Sequence, residues 1–258
     1  MNAASTGLRS EGRLVLSALV TLAAAGWALV IWQATTVDDH GHMGLDLTMG
    51  MAAPLFLAMW VAMMVAMMLP ASARMILAFA RSQARKRERG APYVPTWLFV
   101  APYLTVWGAF GIVGYGLAAA ADSVADDSMW AMDHLPRIAG GLLVAAGVYQ
   151  LSPLKHICLA RCRSPLSFMM SYWQDGRWGA VQMGLRHGVF CLGCCWVLFL
   201  LLVPLGVMNV GAMLAITALV FAEKTLPQGE RVARIAAIAM VVYGLLAVAV
   251  PAALPTMT

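Results

Sequence analysis

Charge is what this 258-residue chain has least of: Asp, Glu, Lys and Arg together make up 11% of it. A soluble domain carries about 25%, so a surface facing water on all sides is excluded. No P-loop, Gly-x-Ser-x-Gly or His-Glu-x-x-His occurs, which leaves ATP hydrolysis and hydrolase chemistry without visible apparatus, and the chain reads as a non-enzyme. Cysteine is confined to five residues, all between 158 and 195. An odd number so placed argues against a secreted disulfide framework. There is no internal repeat and no low-complexity tract, so residues 1–258 read as one domain.

What is abundant is apolar surface: 62% of residues are hydrophobic and the mean hydropathy is +0.79. It comes in long blocks, which predicts an all-α, polytopic membrane bundle. Seven spans are expected, at about 13–34, 51–73, 96–121, 136–151, 184–207, 208–223 and 232–253. The fourth and sixth are short, so six is the alternative. The first reads as an uncleaved span, because its apolar run exceeds the roughly 7–15 residues of a signal peptide. Trp32 is also too bulky for a cut after Ala34.

The loops alternate in sign. Residues 35–50 carry −3, 81–95 carry +4, 122–134 carry −4 and 152–186 carry +4. Basic loops stay inside, which predicts a cytoplasmic N-terminus and an outer C-terminus. The net charge of +5 thus reports orientation, and a nucleic-acid partner is not expected. Residues 152–183 mix cations with Phe168, Tyr172, Trp173 and Trp178, as suits a cytoplasmic segment at the headgroup level that Pro165 divides in two.

The chemistry concentrates in His187-Gly-Val-Phe-Cys191-Leu-Gly-Cys194-Cys195-Trp196. At 100° per residue, His187, Cys191, Cys194 and Cys195 share one helix face, with His187 at the cytoplasmic mouth of its span. Cys158 and Cys162 stand one turn apart upstream and can fold over that mouth. Thiolate and imidazole select Cu(I) or Zn(II), and a reducing cytoplasm keeps such thiols free. A single cysteine here would be a small hydrophobe; five in some forty residues point to a site.

Met59, Met63 and Met67 form a stripe beside Met64 and Met68, soft enough to relay Cu(I) and equally suited to packing. In the outer loop, His40, His42 and Met43, with Asp38, Asp39 and Asp46, can collect copper or be an ordinary solvated run. Glu223-Lys224 closes the sixth span, either as an interfacial anchor or as a functional intramembrane pair. Gly108, Gly111, Gly114, Gly116 and Gly140-Gly141 suit close helix packing.

Several segments together resemble a bacterial family of predicted metal-binding integral membrane proteins, a domain of unknown function. They are residues 59–70, Tyr149-Gln150 with Lys155, Cys158-Leu-Ala-Arg-Cys162-Arg-Ser-Pro165, the His187–Trp196 string, Gly206-Val-Met208-Asn209 and Glu223-Lys224. The resemblance runs from about 50 to 225 and implies metal binding without naming the metal. The expected function is Cu(I) handling or translocation across a bacterial inner membrane. His40, His42 and Met43 collect the ion, Met59, Met63 and Met67 relay it, Cys191, Cys194 and Cys195 hold it, and Cys158, Cys162 and His187 stand at the cytoplasmic exit. The expected partners are the lipid bilayer, the metal ion and a periplasmic or cytoplasmic metallochaperone. The alternatives are a membrane thiol–disulfide carrier and a structural or assembly protein with a zinc site.

Overall fold

The computed structural model describes residues 2–37, 48, 50–127, 129–205 and 209–250, and every element among them is a helix. In chain order these are α1 (Asn2–Val37), α2 (Ala53–Glu88), α3 (Trp97–Asp127), α4 (Met129–Gln150), α5 (Pro153–Arg163), α6 (Pro165–Tyr172), α7 (Gly176–Leu200), α8 (Leu202–Leu205), α9 (Val210–Thr225) and α10 (Gly229–Ala249). Among the described residues, five stretches are long and apolar enough to cross a membrane: Glu11–Thr36, Ala53–Glu88, Trp97–Val124, Gly176–Leu200 and Gly229–Ala249. The pair Pro136–Gln150 and Pro153–Arg163, bent by 63°, supplies a sixth if taken as one span. The expected sixth span coincides with α9, whose 16 residues reach only about 24 Å at 1.5 Å each.

Local chemistry sets the boundaries. α2 takes Pro54 into its first turn, where a missing N–H costs little, continues through Pro70, and ends on Arg85, Lys86 and Arg87. The basic run first read as the start of a loop is therefore mostly helix, because Arg, Lys, Gln and Glu are strong helix formers. Ser152 ends the α4 run and caps α5 by accepting from the Lys155 N–H at 3.2 Å, with Pro153 in the first turn. Ser164 and Pro165 repeat that start for α6. Asn209 caps α9 through the Ala212 N–H at 3.0 Å.

Small residues decide which helices touch. A Cβ at Gly140 would stand 2.9 Å from the Gly244 carbonyl, one at Gly244 would stand 2.7 Å from the Gly140 carbonyl, and one at Gly147 would stand 2.8 Å from the Ala237 carbonyl, so α4 and α10 are in backbone contact. Gly26 does the same between α1 and α2 at Ala62. Gly184 and Gly188 press α7 onto the Phe99 and Tyr103 carbonyls of α3. The glycine expectation divides: Gly111 and Gly140 are packed tightly and Gly108 and Gly114 loosely, while Gly116 and Gly141 face open space.

Side chains such as Trp32, Ile112 and Ile235, each more than 60% exposed, cover the outward faces of α1, α3 and α10. An apolar exterior of this kind fits lipid rather than water. Lys86 of α2 pairs with Asp175, which begins α7 and also accepts from the Trp173 indole at 3.0 Å. These two donors hold the Asp175 carboxyl below the usual carboxylate range.

Candidate metal centre

The site is built on α7. His187, Cys191, Cys194 and Cys195 are all buried there, on a helix packed against α3, α5 and α9. The Cys194 and Cys195 thiols both donate to the Cys191 carbonyl, at 3.1 and 2.8 Å, one helical turn back. α5 lies against this helix and buries Cys158 and Cys162 on its inner side. Cys162 makes side-chain interactions with Cys191 and Cys194. Cys158 fits because position 193 is glycine: a Cβ there would stand 2.8 Å from the Cys158 sulfur. The Gly193 carbonyl in turn accepts the Tyr149 hydroxyl from α4. The structure thus brings sulfur from two separate stretches into one neighbourhood, and all five cysteines are free thiols.

His187 is not at a water-filled mouth. α7 starts at Gly176, whose φ of +81° turns the chain into the helix, so the imidazole lies about 16 Å along it. α6 then covers it. Phe99 and Tyr103 stack on the ring at 5.8 and 5.3 Å, and Phe168 meets it edge-on at 5.6 Å. Only 1% of the residue is exposed, and neither ring nitrogen has a hydrogen-bond partner among the described residues. Buried polar atoms are nearly always satisfied, so an imidazole with two free nitrogens inside an aromatic box is a candidate donor for a ligand.

Two further groups touch the Cys191 sulfur. The Lys224 ammonium of α9 donates to its sulfur at 3.0 Å. The Tyr103 hydroxyl stands 3.2 Å from the same sulfur and accepts from Ser72 of α2 at 2.9 Å. The adjacent Glu223 accepts from Lys155 at 2.7 Å and from Gln150 at 3.0 Å, with carboxylate and ammonium each 1% exposed. Glu223 and Lys224 therefore do not anchor α9 at a wet interface. They are the buried charges of the site's edge, one turned toward α4 and α5 and the other toward the sulfurs. A charged pair at the end of an apolar run was the available signal for them; Tyr103 and Ser72 had none.

Met59, Met63 and Met67 are buried in the same apolar core as the cysteines, together with Met64 and Met68. Their end nearest the thiols is at Met68, whose carbonyl is 3.5 Å from the Tyr103 hydroxyl. Eight residues separate Met59 from Met67, so the stripe leads about 12 Å away along α2. His40, His42 and Met43 lie outside the described residues.

Among the described residues, no three His, Cys, Asp or Glu side chains converge on one point as a ready-made cage. The thiols are instead engaged with one another and with a helix carbonyl, so a three-ligand site needs side-chain rotation, whereas a two-sulfur Cu(I) site needs only one adjacent pair. The donor chemistry of neighbouring buried thiols and an unsatisfied imidazole fits a soft ion. A family model described as copper chaperone, PpoB2, matches residues 57–247, a range that contains all five cysteines, His187 and the methionine stripe. No curated protein and no solved structure matches the chain.

Proposed function

Since the chain belongs to the PpoB2 copper-chaperone family, we propose that its thiol cluster is a Cu(I)-binding site inside a multi-pass membrane protein that receives copper and passes it on. The observation that carries this reading is the meeting of α5 and α7: five buried free thiols and a buried imidazole with two unpartnered nitrogens, all within the matched range. Cys191 and Cys194 hold the ion in this account. Cys162 stands beside both as the next acceptor, and Cys158 stands nearest the α4–α5 bend, where cargo leaves toward the cytoplasm. His40, His42 and Met43 collect copper outside, and Met59, Met63 and Met67 relay it inward through thioethers that bind weakly enough to release it. The topology is seven spans in an inner membrane, N-terminus inside and C-terminus outside, and the work is binding and transfer rather than catalysis. A metallochaperone on either side completes the route.

Family membership favours copper over a zinc site that merely ties α5 to α7. A thiol–disulfide carrier would need an acceptor thiol on the far side, and the sequence has no cysteine outside 158–195. The test is Cu(I) titration of the detergent-purified protein against a chromophoric Cu(I) chelator. Cys191→Ser/Cys194→Ser is expected to lose Cu(I) binding while keeping its helix content. Unchanged stoichiometry in that variant removes the cluster from the mechanism.

A further inference from the structure

We propose that Lys224 determines specificity, making the thiol cluster a two-sulfur site for a soft monovalent cation and setting it against divalent ions. The proposal rests on reading the cluster as the copper site, and it concerns the site's charge rather than its donors.

Lys224 is 3% exposed, and its ammonium donates to the Cys191 sulfur at 3.0 Å. A buried ammonium needs a compensating negative charge. The nearest carboxylate in sequence, Glu223, is already matched by Lys155 at 2.7 Å, with Gln150 on its other oxygen at 3.0 Å. None of the ion pairs among the described residues includes Lys224. The groups that share its electrostatic neighbourhood are Cys162, Cys191, Cys194, Cys195, Tyr103 and His187. The site therefore carries one buried positive charge that thiolate sulfur has to balance.

The charges of the candidate occupants then differ. A monovalent ion on two thiolates is a complex of charge −1, which Lys224 neutralises. A divalent ion on the same two thiolates is neutral and leaves the buried ammonium uncompensated. It regains balance only with a third thiolate, and no three ligand side chains converge among the described residues. A monovalent ion on three thiolates overshoots to −2, so the same ammonium also favours two-sulfur coordination. The expected cargo class is Cu(I), with Ag(I) as its closest mimic.

The experiment compares wild type, Lys224→Met and Lys224→Arg, purified in detergent and offered Cu(I) or Ag(I) in competition with Zn(II). Bound metal is read by elemental analysis, and sulfur coordination by X-ray absorption. Wild type should prefer both monovalent ions and show two sulfurs on copper. Lys224→Met should shift the Cu(I)-to-Zn(II) preference toward zinc by about 30-fold or more, the consequence of losing one partner of a buried charge pair. Lys224→Arg should keep most of the wild-type preference. An unchanged preference in Lys224→Met, or three or more sulfurs on copper in wild type, overturns the proposal. Should Lys224→Met fail to fold, the wild-type coordination number and the Lys224→Arg preference still decide it. Loss of copper in Cys191→Ser/Cys194→Ser with an unaltered preference in Lys224→Met would defeat this inference alone; copper retained in the double variant would defeat the functional reading beneath it.

Discussion

At the scale of single residues, the packing around Cys191 explains why small changes should matter. Gly193 has no side chain because the Cys158 sulfur occupies that space. Gly193→Ala is therefore expected to push α5 away from α7, with an overpacking cost of about 1–3 kcal/mol and a lower copper capacity. Thermal melting and metal content of the purified variant check both. The Tyr103 hydroxyl touches Cys191 and is held by Ser72. Tyr103→Phe keeps the ring stacked on His187 and removes only those polar contacts, so Cu(I) affinity should fall by about tenfold, the effect of one lost buried hydrogen bond of about 1–2 kcal/mol. A competition titration measures it. Much of this cluster was legible in sequence, because spacings of three and four residues place side chains on one helix face. Lys224 was legible only as half of a charged pair closing an apolar run, and Tyr103 not at all, since their contacts with Cys191 come from helices distant in sequence.

At the scale of helices, the buried Lys155–Glu223 pair ties α5 to α9, and Arg163 adds hydrogen bonds to the carbonyls of Leu226 and Pro227 at 2.7 and 2.9 Å. Removing one partner leaves an uncompensated buried charge, so Lys155→Met alone should destabilise by about 3–5 kcal/mol. Lys155→Met with Glu223→Gln should recover much of that loss. Equal melting temperatures for the single and double variants would contradict the ion-pair account. The α4–α10 contact makes a sharper contrast. Gly244→Ala drives a Cβ into the Gly140 carbonyl, whereas Gly141→Ala meets nothing within 4 Å. The first should lower thermal stability and the second should leave it unchanged. The sequence nominated Gly140 and Gly141 without sorting them, because adjacent residues point about 100° apart around a helix and only the neighbouring helix decides which is packed; Gly244 was not singled out. The start of α7 was misjudged for a related reason: Arg177 and Trp178 have the composition of an interfacial loop, yet they form its first turn, and that displaces His187 from the mouth to the interior.

For the whole molecule, hydropathy made the all-helical architecture and the long apolar helices visible, while length kept the number of spans unsettled. α9 is shorter than a full span, and α4 with α5 forms a bent pair. Alternating loop charge predicts that reporter fusions at the N-terminus and within 164–175 are active only inside, and that fusions after residue 250 are active only outside. A C-terminal reporter active inside would contradict seven spans. The claim beneath all of this is that the thiols gathered by α5 and α7 hold copper. Metal-by-metal elemental analysis of the detergent-purified protein, wild type beside Cys191→Ser/Cys194→Ser, tests it most directly. The account predicts copper in the first and none in the second; zinc in place of copper, or equal copper in both, would contradict it.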